Sequence, residues 1–162
     1  MWAGMEFGTV TGSDVLELIG MYIDLIEEVR DESRDDYLFY DTERAGEIAR
    51  DIWNILDDPQ KTICVARDGG CIAGFIAGEV QSCCLFPLSR AGPVGYVTAA
   101  YVRPAYRRKG IGRRLESMLV HFFQTQGAAY AELGVMSKHR AAKESWTALG
   151  YATFREQMRK RI

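Results

Sequence analysis

Hydrophobic positions change period several times along the chain, and each change marks an element. Met5–Val10 predicts a short first strand. Ser13 suits the N-cap of a helix running to about Asp31, with Val15, Leu18, Ile19, Tyr22, Ile23 and Ile26 on one face. Residues 31–41 mix acids with aromatics and carry no helical stripe, which predicts a loop or kinked connection. Thr42 caps a second predicted helix, whose Ala45, Ile48, Ala49, Ile52 and Ile55 recur at helical spacing before Asp57-Asp58-Pro59 ends it. Thr62–Arg67 and Ile72–Gln81 read as strands joined by Asp68-Gly69-Gly70, the residues of a tight antiparallel hairpin.

A long loop with proline and glycine fills 83–95, and Tyr96–Val102 is the next strand. The following helix puts Ile111, Leu115, Met118, Leu119 and Phe122 on its inner face and runs to about Gln126. Ala129–Met136 predicts a strand, Ala141–Leu149 a short helix, and Tyr151–Arg159 a last strand. The order β-α-α-β-β-β-α-β-α-β implies an α/β (α+β) fold with a mixed sheet and helices packed on it.

Composition narrows the picture further. The 162 residues are 48% hydrophobic, enough for one domain with one sizeable core. No apolar run approaches the roughly 20 residues of a membrane span, and the N-terminus has no secretory pattern. Cys64, Cys71, Cys83 and Cys84 lack CxxC spacing and lie far from His139, so no metal site is expected. Free thiols in a reducing cytoplasm are the simplest reading, with a redox pair at Cys83-Cys84 as the alternative.

Charge is divided unevenly. Residues 1–60 hold 16 acidic and 4 basic side chains, whereas residues 61–162 hold 6 and 16. A polyanionic ligand on the second part and a cationic one near the first both fit this field, and so does a set of solvated acidic helix faces. Basic residues concentrate at one loop, so a nucleic-acid partner is not expected.

That loop is Arg107-Arg108-Lys109-Gly110-Ile111-Gly112. A strand feeds a short turn, glycines permit close backbone approach, and a helix begins at once. Unpaired N–H groups and the helix dipole at such a start bind phosphate oxygens. Five basic side chains in Arg107–Arg114 add attraction for a polyphosphate. The GxxxxGK[ST] frame of nucleotide-binding loops is absent, and no third glycine completes the dinucleotide fingerprint.

The run AAYVRPAYRRKGIGRRLESMLVHFF (99–123) resembles motif A of the GNAT superfamily of CoA-dependent N-acyltransferases. Downstream, AELGVMSKHRAAKESWTALGYATF (131–154) is similar to that family's second half. The resemblance covers nearly the whole chain. It implies a single GNAT domain over 1–162, with a mostly antiparallel sheet splayed at its central strands and helices on both faces. It implies acetyl-CoA as cosubstrate, no metal, and transfer of the acetyl group to a primary amine. The pantetheine arm is then expected against the backbone of Ala100, Tyr101 and Val102. The pyrophosphate is expected at Arg107, Arg108, Lys109, Gly110, Ile111, Gly112 and Arg113, chiefly on their amides.

Against the family pattern, the chemical groups depart. Where relatives commonly carry an acidic tyrosine, this chain has Trp146, whose indole donates a hydrogen bond but no proton at neutral pH. A frequent asparagine is replaced by His139, expected beside the cofactor or at the surface. The strand before the loop offers no carboxylate, and another site for a base corresponds to Gly134. Glu79 and Glu132 remain as candidate bases, each equally readable as a half-buried, hydrogen-bonded glutamate. In the family the first two helices and their connection wall the acceptor pocket. Here that region includes Asp31, Glu32, Asp35, Asp36, Tyr37, Phe39, Tyr40 and Asp41, which favour a small cationic acceptor such as a polyamine, amino sugar, or basic amino acid or peptide. A protein N-terminal or lysine acetyltransferase, and an acyl-CoA-binding module without turnover, stay open as alternatives. A homodimer is the family's common assembly.

Overall fold

The computed structural model describes residues 4–38, 44–82 and 92–162. Five strands form one sheet in the order β1 (Met5–Thr9), β2 (Lys61–Asp68), β3 (Cys71–Gln81), β4 (Val94–Val102) and β5 (Ala131–Leu133). The first four pair antiparallel, and β5 joins β4 in parallel. Helices α1 (Val15–Ser33) and α2 (Ala45–Leu56) cover one face, while α3 (Ile111–Thr125) packs on the other and α4 (Arg140–Ala148) follows β5.

Strand alternation divides the core between these two layers. Ile63, Val65 and Phe75 turn toward Leu18, Met21 and Ile52 of α1 and α2. Cys64, Ala66 and Ile76 turn toward Leu115, Leu119 and Phe123 of α3. Because both faces are covered, β3 is buried without a break from Ile72 to Gly78. Glycine sets the depth of α3: a Cβ at Gly95 would lie 2.3 Å from the Phe123 ring.

Several boundaries differ from the sequence reading, each for a local reason. Ser13 lies inside a 3-10 turn, Gly12–Asp14, and the Thr11 N–H donates to the Asp14 carboxylate at 2.7 Å. Helix α1 continues to Ser33, where Arg34 adopts a left-handed φ of 46° and ends it. The strand expected over Ala129–Met136 shrinks to three residues, since β5 follows β4 only along Gly95–Val97. The strand expected over Tyr151–Arg159 does not form. Tyr151 instead packs edge-on against Trp146, and Arg159 is drawn to Asp35 by two hydrogen bonds. Thr42, Phe39, Tyr40, Asp41, Cys83 and Cys84 lie outside the described residues. Cys64 is buried and Cys71 exposed, both as free thiols.

Candidate active site

The site begins with an irregularity in β4. Ala77 pairs with Ala99 but Gly78 pairs with Val97, so Thr98 is an extra residue on the β4 side. Such a bulge bends its strand. It occurs just where β5 stops accompanying β4, and the two strands part beyond Val97. The expected splay of the sheet is therefore present, and it opens a cleft of about 1210 Å³. Ala100, Tyr101 and Val102 line one side, and Leu133, Gly134, Val135 and Met136 line the other.

At one end of the cleft lies the start of α3. Gly110 is its N-cap, with a φ of 80° that suits glycine, and Arg108 adopts a left-handed φ of 62°. The first N–H groups of the helix, from Ile111 onward, have no carbonyl within the helix to bind. Arg107, Arg108, Gly110, Ile111 and Gly112 all line the cleft. The Ile111 side chain is only 1% exposed and belongs to the core, so its backbone is what it offers a ligand. A Cβ on Gly112 would meet no protein atom within 4 Å, so the bare backbone there faces open space. These features fit a pyrophosphate.

Other expected cofactor residues are placed less uniformly. Lys109 and Arg113 do not line the cleft; the Lys109 ammonium lies over the Tyr106 ring at 5.3 Å. Arg107 is already engaged: its Nε donates to the Val102 carbonyl at 2.8 Å, its Nη2 to the Glu28 carboxylate, and its guanidinium lies 5.5 Å from the Tyr101 ring centre. His139 is buried at the N-cap of α4 and lines the cleft.

The three candidate catalytic residues separate. Trp146 lines the cleft from α4, with the Tyr151 ring 5.3 Å away at 74°. Tyr151 is not among the cleft-lining residues, and its hydroxyl donates to Glu116 at 3.3 Å. Glu132 is buried and lies outside the cleft wall, since strand alternation opposes it to the lining residue Leu133. Glu79 instead lines a second, smaller cavity of about 320 Å³ beneath α2. It accepts a hydrogen bond from the Gln81 amide at 2.6 Å and stands 3.7 Å from the Lys61 ammonium.

This smaller pocket shares just Thr98 and Ala99 with the large cleft. The parting of β4 from β5 thus lies where the two spaces meet. Of the acidic segment expected to wall the acceptor site, the described residues Asp31, Glu32, Asp35, Asp36 and Tyr37 do not line the smaller pocket. Asp31 pairs with Arg30, Arg159 binds Asp35 and stacks over Tyr37, and Glu32 and Asp36 are exposed. Besides Lys61, Glu79 and Thr98, the polar groups lining the pocket are Asp51 and Asn54 of α2 and Tyr22 of α1. Asp51 had a legible signal: it falls three residues after Ile48 and four before Ile55, inside the apolar stripe of its helix.

Among the described residues, no helix is long and apolar enough to cross a membrane, and no group of His, Cys, Asp and Glu is placed to hold a metal ion. A family model described as the acetyltransferase (GNAT) family matches residues 26–151. The fold is similar to a structure of AAC(6')-Iy in complex with the bisubstrate analogue CoA-S-monomethyl-acetylneamine, at a TM-score of 0.77 and 13% identity over 99% of each chain. It is similar to a tetramutant of the BH1408 protein of Bacillus halodurans, at a TM-score of 0.84 and 19% identity over 97% of this chain and 99% of the other. It is also similar to glucosamine-6-phosphate N-acetyltransferase from Arabidopsis thaliana, at 0.68 and 16% over 98% and 99%.

Proposed function

The chain belongs to the GNAT acetyltransferase family and is an acetyl-CoA-dependent N-acyltransferase, and from that premise we propose that it acetylates a primary amine of a small cationic acceptor. The observation that carries this reading is the junction at Thr98 and Ala99, residues that line both a cofactor-sized cleft and a compact pocket holding two carboxylates. A pocket of about 320 Å³ suits a small molecule.

Acetyl-CoA supplies a thioester-activated acetyl group; in the transfer a C–N bond forms at the acyl carbon and the C–S bond breaks. The N–H groups at the start of α3, with Arg108 beside them, hold the pyrophosphate. The β4 edge at Ala100, Tyr101 and Val102 aligns the pantetheine arm, and a β4 amide by the bulge faces the developing negative charge. Glu79 takes the amine proton through water. Trp146 walls the leaving-group side without giving a proton, so the departing thiolate is protonated from solvent.

Release of CoA thiol from acetyl-CoA across a panel of polyamines, amino sugars, basic amino acids, short peptides and neutral amines tests this reading. The expected result is turnover with small cationic acceptors, abolished by Gly110→Glu, which places a bulky carboxylate at the phosphate site. Preference for neutral or acidic amines would overturn the acceptor class. Acetyl-CoA binding with no thiol release for any amine would favour an acyl-CoA-binding module, the reading to which Trp146 in the acid position lends support.

A further inference from the structure

The pocket beneath α2 carries a charge imbalance. Of its two carboxylates, Glu79 accepts a hydrogen bond from Gln81 and lies 3.7 Å from the Lys61 ammonium, which also stands 3.6 Å from Asp58. Asp51 has neither an ion pair nor a hydrogen bond among the described residues. On the same wall, the Tyr22 ring packs against Phe75 with centroids 4.6 Å apart. Its hydroxyl likewise has no hydrogen-bond partner among the described residues. Burial, and then the charge of Asp51, push the Tyr22 phenol well above its usual pKa, so it stays protonated and able to donate or accept. Ile48, Ile52 and Ile55 supply the apolar part of the lining. One exposed carboxylate without a cation among the described residues and one half-buried phenol, its hydroxyl open to the cavity, therefore line a single small pocket.

The nitrogen that attacks a thioester does so with its lone pair and is neutral when it reacts. A cation paired with Asp51 is consequently a different nitrogen. Building on the acceptor reading above, we propose that the substrate carries two basic nitrogens. One primary amine reaches the Thr98–Ala99 junction uncharged, while a second, protonated amine is held by Asp51 with the Tyr22 hydroxyl beside it. The isoleucines of α2 suit the hydrocarbon between the two. During transfer the first nitrogen gains the acyl carbon and gives its proton to Glu79 by way of water. The second keeps its proton throughout. Asp51 and Tyr22 are thus residues that determine specificity, set apart from the group that accepts the proton.

Matched acceptors that differ by one amine provide the test: 1,4-diaminobutane against butylamine, and lysine amide against norleucine amide. In the unmodified enzyme each diamine is expected to exceed its monoamine in kcat/KM by about tenfold or more, the scale of one charge-assisted hydrogen bond. Asp51→Asn should collapse that ratio through KM, and Tyr22→Phe should reduce it less. Calorimetric acetyl-CoA binding, governed by the other cleft, verifies that both variants remain folded. Equal use of the members of both pairs, or a ratio that survives Asp51→Asn, overturns the proposal while leaving the acetyltransferase reading intact. Failure of every amine to release thiol, with acetyl-CoA still bound, overturns both.

Discussion

Arg67 of β2 reaches Asp14, at the entrance to α1, with its Nη2 2.6 Å from the carboxylate oxygen. Both side chains are largely removed from solvent, and Thr11 donates two further hydrogen bonds to the same carboxylate. Burial acts to raise the Asp14 pKa, but Arg67 and Thr11 outweigh it and hold the group below the usual carboxylate range. A carboxyl lowered in this way stabilises the fold above its unfolded value, near 4, and that contribution is lost as pH falls through the folded value. Asp14→Asn should therefore cost about 2 kcal/mol in urea unfolding at pH 7, with the difference from the unmodified protein shrinking below about pH 4. An equal difference at pH 3 and pH 7 would show that the carboxylate charge is not what matters.

Gly112 is expected to separate ligand binding from folding. A methyl group there meets no protein atom within 4 Å. Gly112→Ala should leave the melting temperature nearly unchanged and weaken acetyl-CoA binding in calorimetry. Loss of stability without loss of affinity would argue that the glycine serves the helix and not the phosphate.

Gly95 is expected to behave in the opposite way. Its absent Cβ is filled by the Phe123 ring. Gly95→Ala should destabilise the protein by about 1–3 kcal/mol through overpacking, and Phe123→Leu in the same chain should recover part of the loss. Denaturant titration of the single and double variants measures both effects.

Glu79 and Glu132 can be told apart kinetically. Glu79→Gln should lower kcat by about 100-fold at neutral pH, the low end of a general base's contribution, and shift activity toward alkaline pH, where more of the amine arrives neutral. Glu132→Gln, altering a buried residue outside the cleft, should change kcat by less than about threefold even where it lowers stability. A larger kcat loss from Glu132→Gln would return the base to β5.

Much of the cofactor side was readable because its requirements are local. A strand, Gly110, a basic turn and an apolar helix stripe occupy 25 consecutive residues (99–123) and announce themselves together. The pocket proposed for the acceptor is assembled from distant parts of the chain. Asp51, Tyr22 and Glu79 come from three elements, and no spacing rule links them. The acidic loop drew attention because its charge is dense, yet Asp35 is consumed by Arg159, a residue 124 positions away. The last predicted strand failed for a similar reason: hydrophobic alternation at Tyr151–Arg159 cannot report whether a sheet edge is there to receive it. The Thr98 bulge has no sequence mark either, since it is a mismatch between two strands and belongs to neither alone.

The two spaces share only Thr98 and Ala99 in their linings. With the cofactor proposed for the cleft and the amine for the smaller pocket, neither would have to leave before the other arrives. Such a layout favours a ternary complex and direct transfer over a shuttle in which the protein itself is acylated, so initial-rate plots should intersect and not run parallel. On the same proposal, spent CoA and acetylated product are expected to depart independently, whichever is released first.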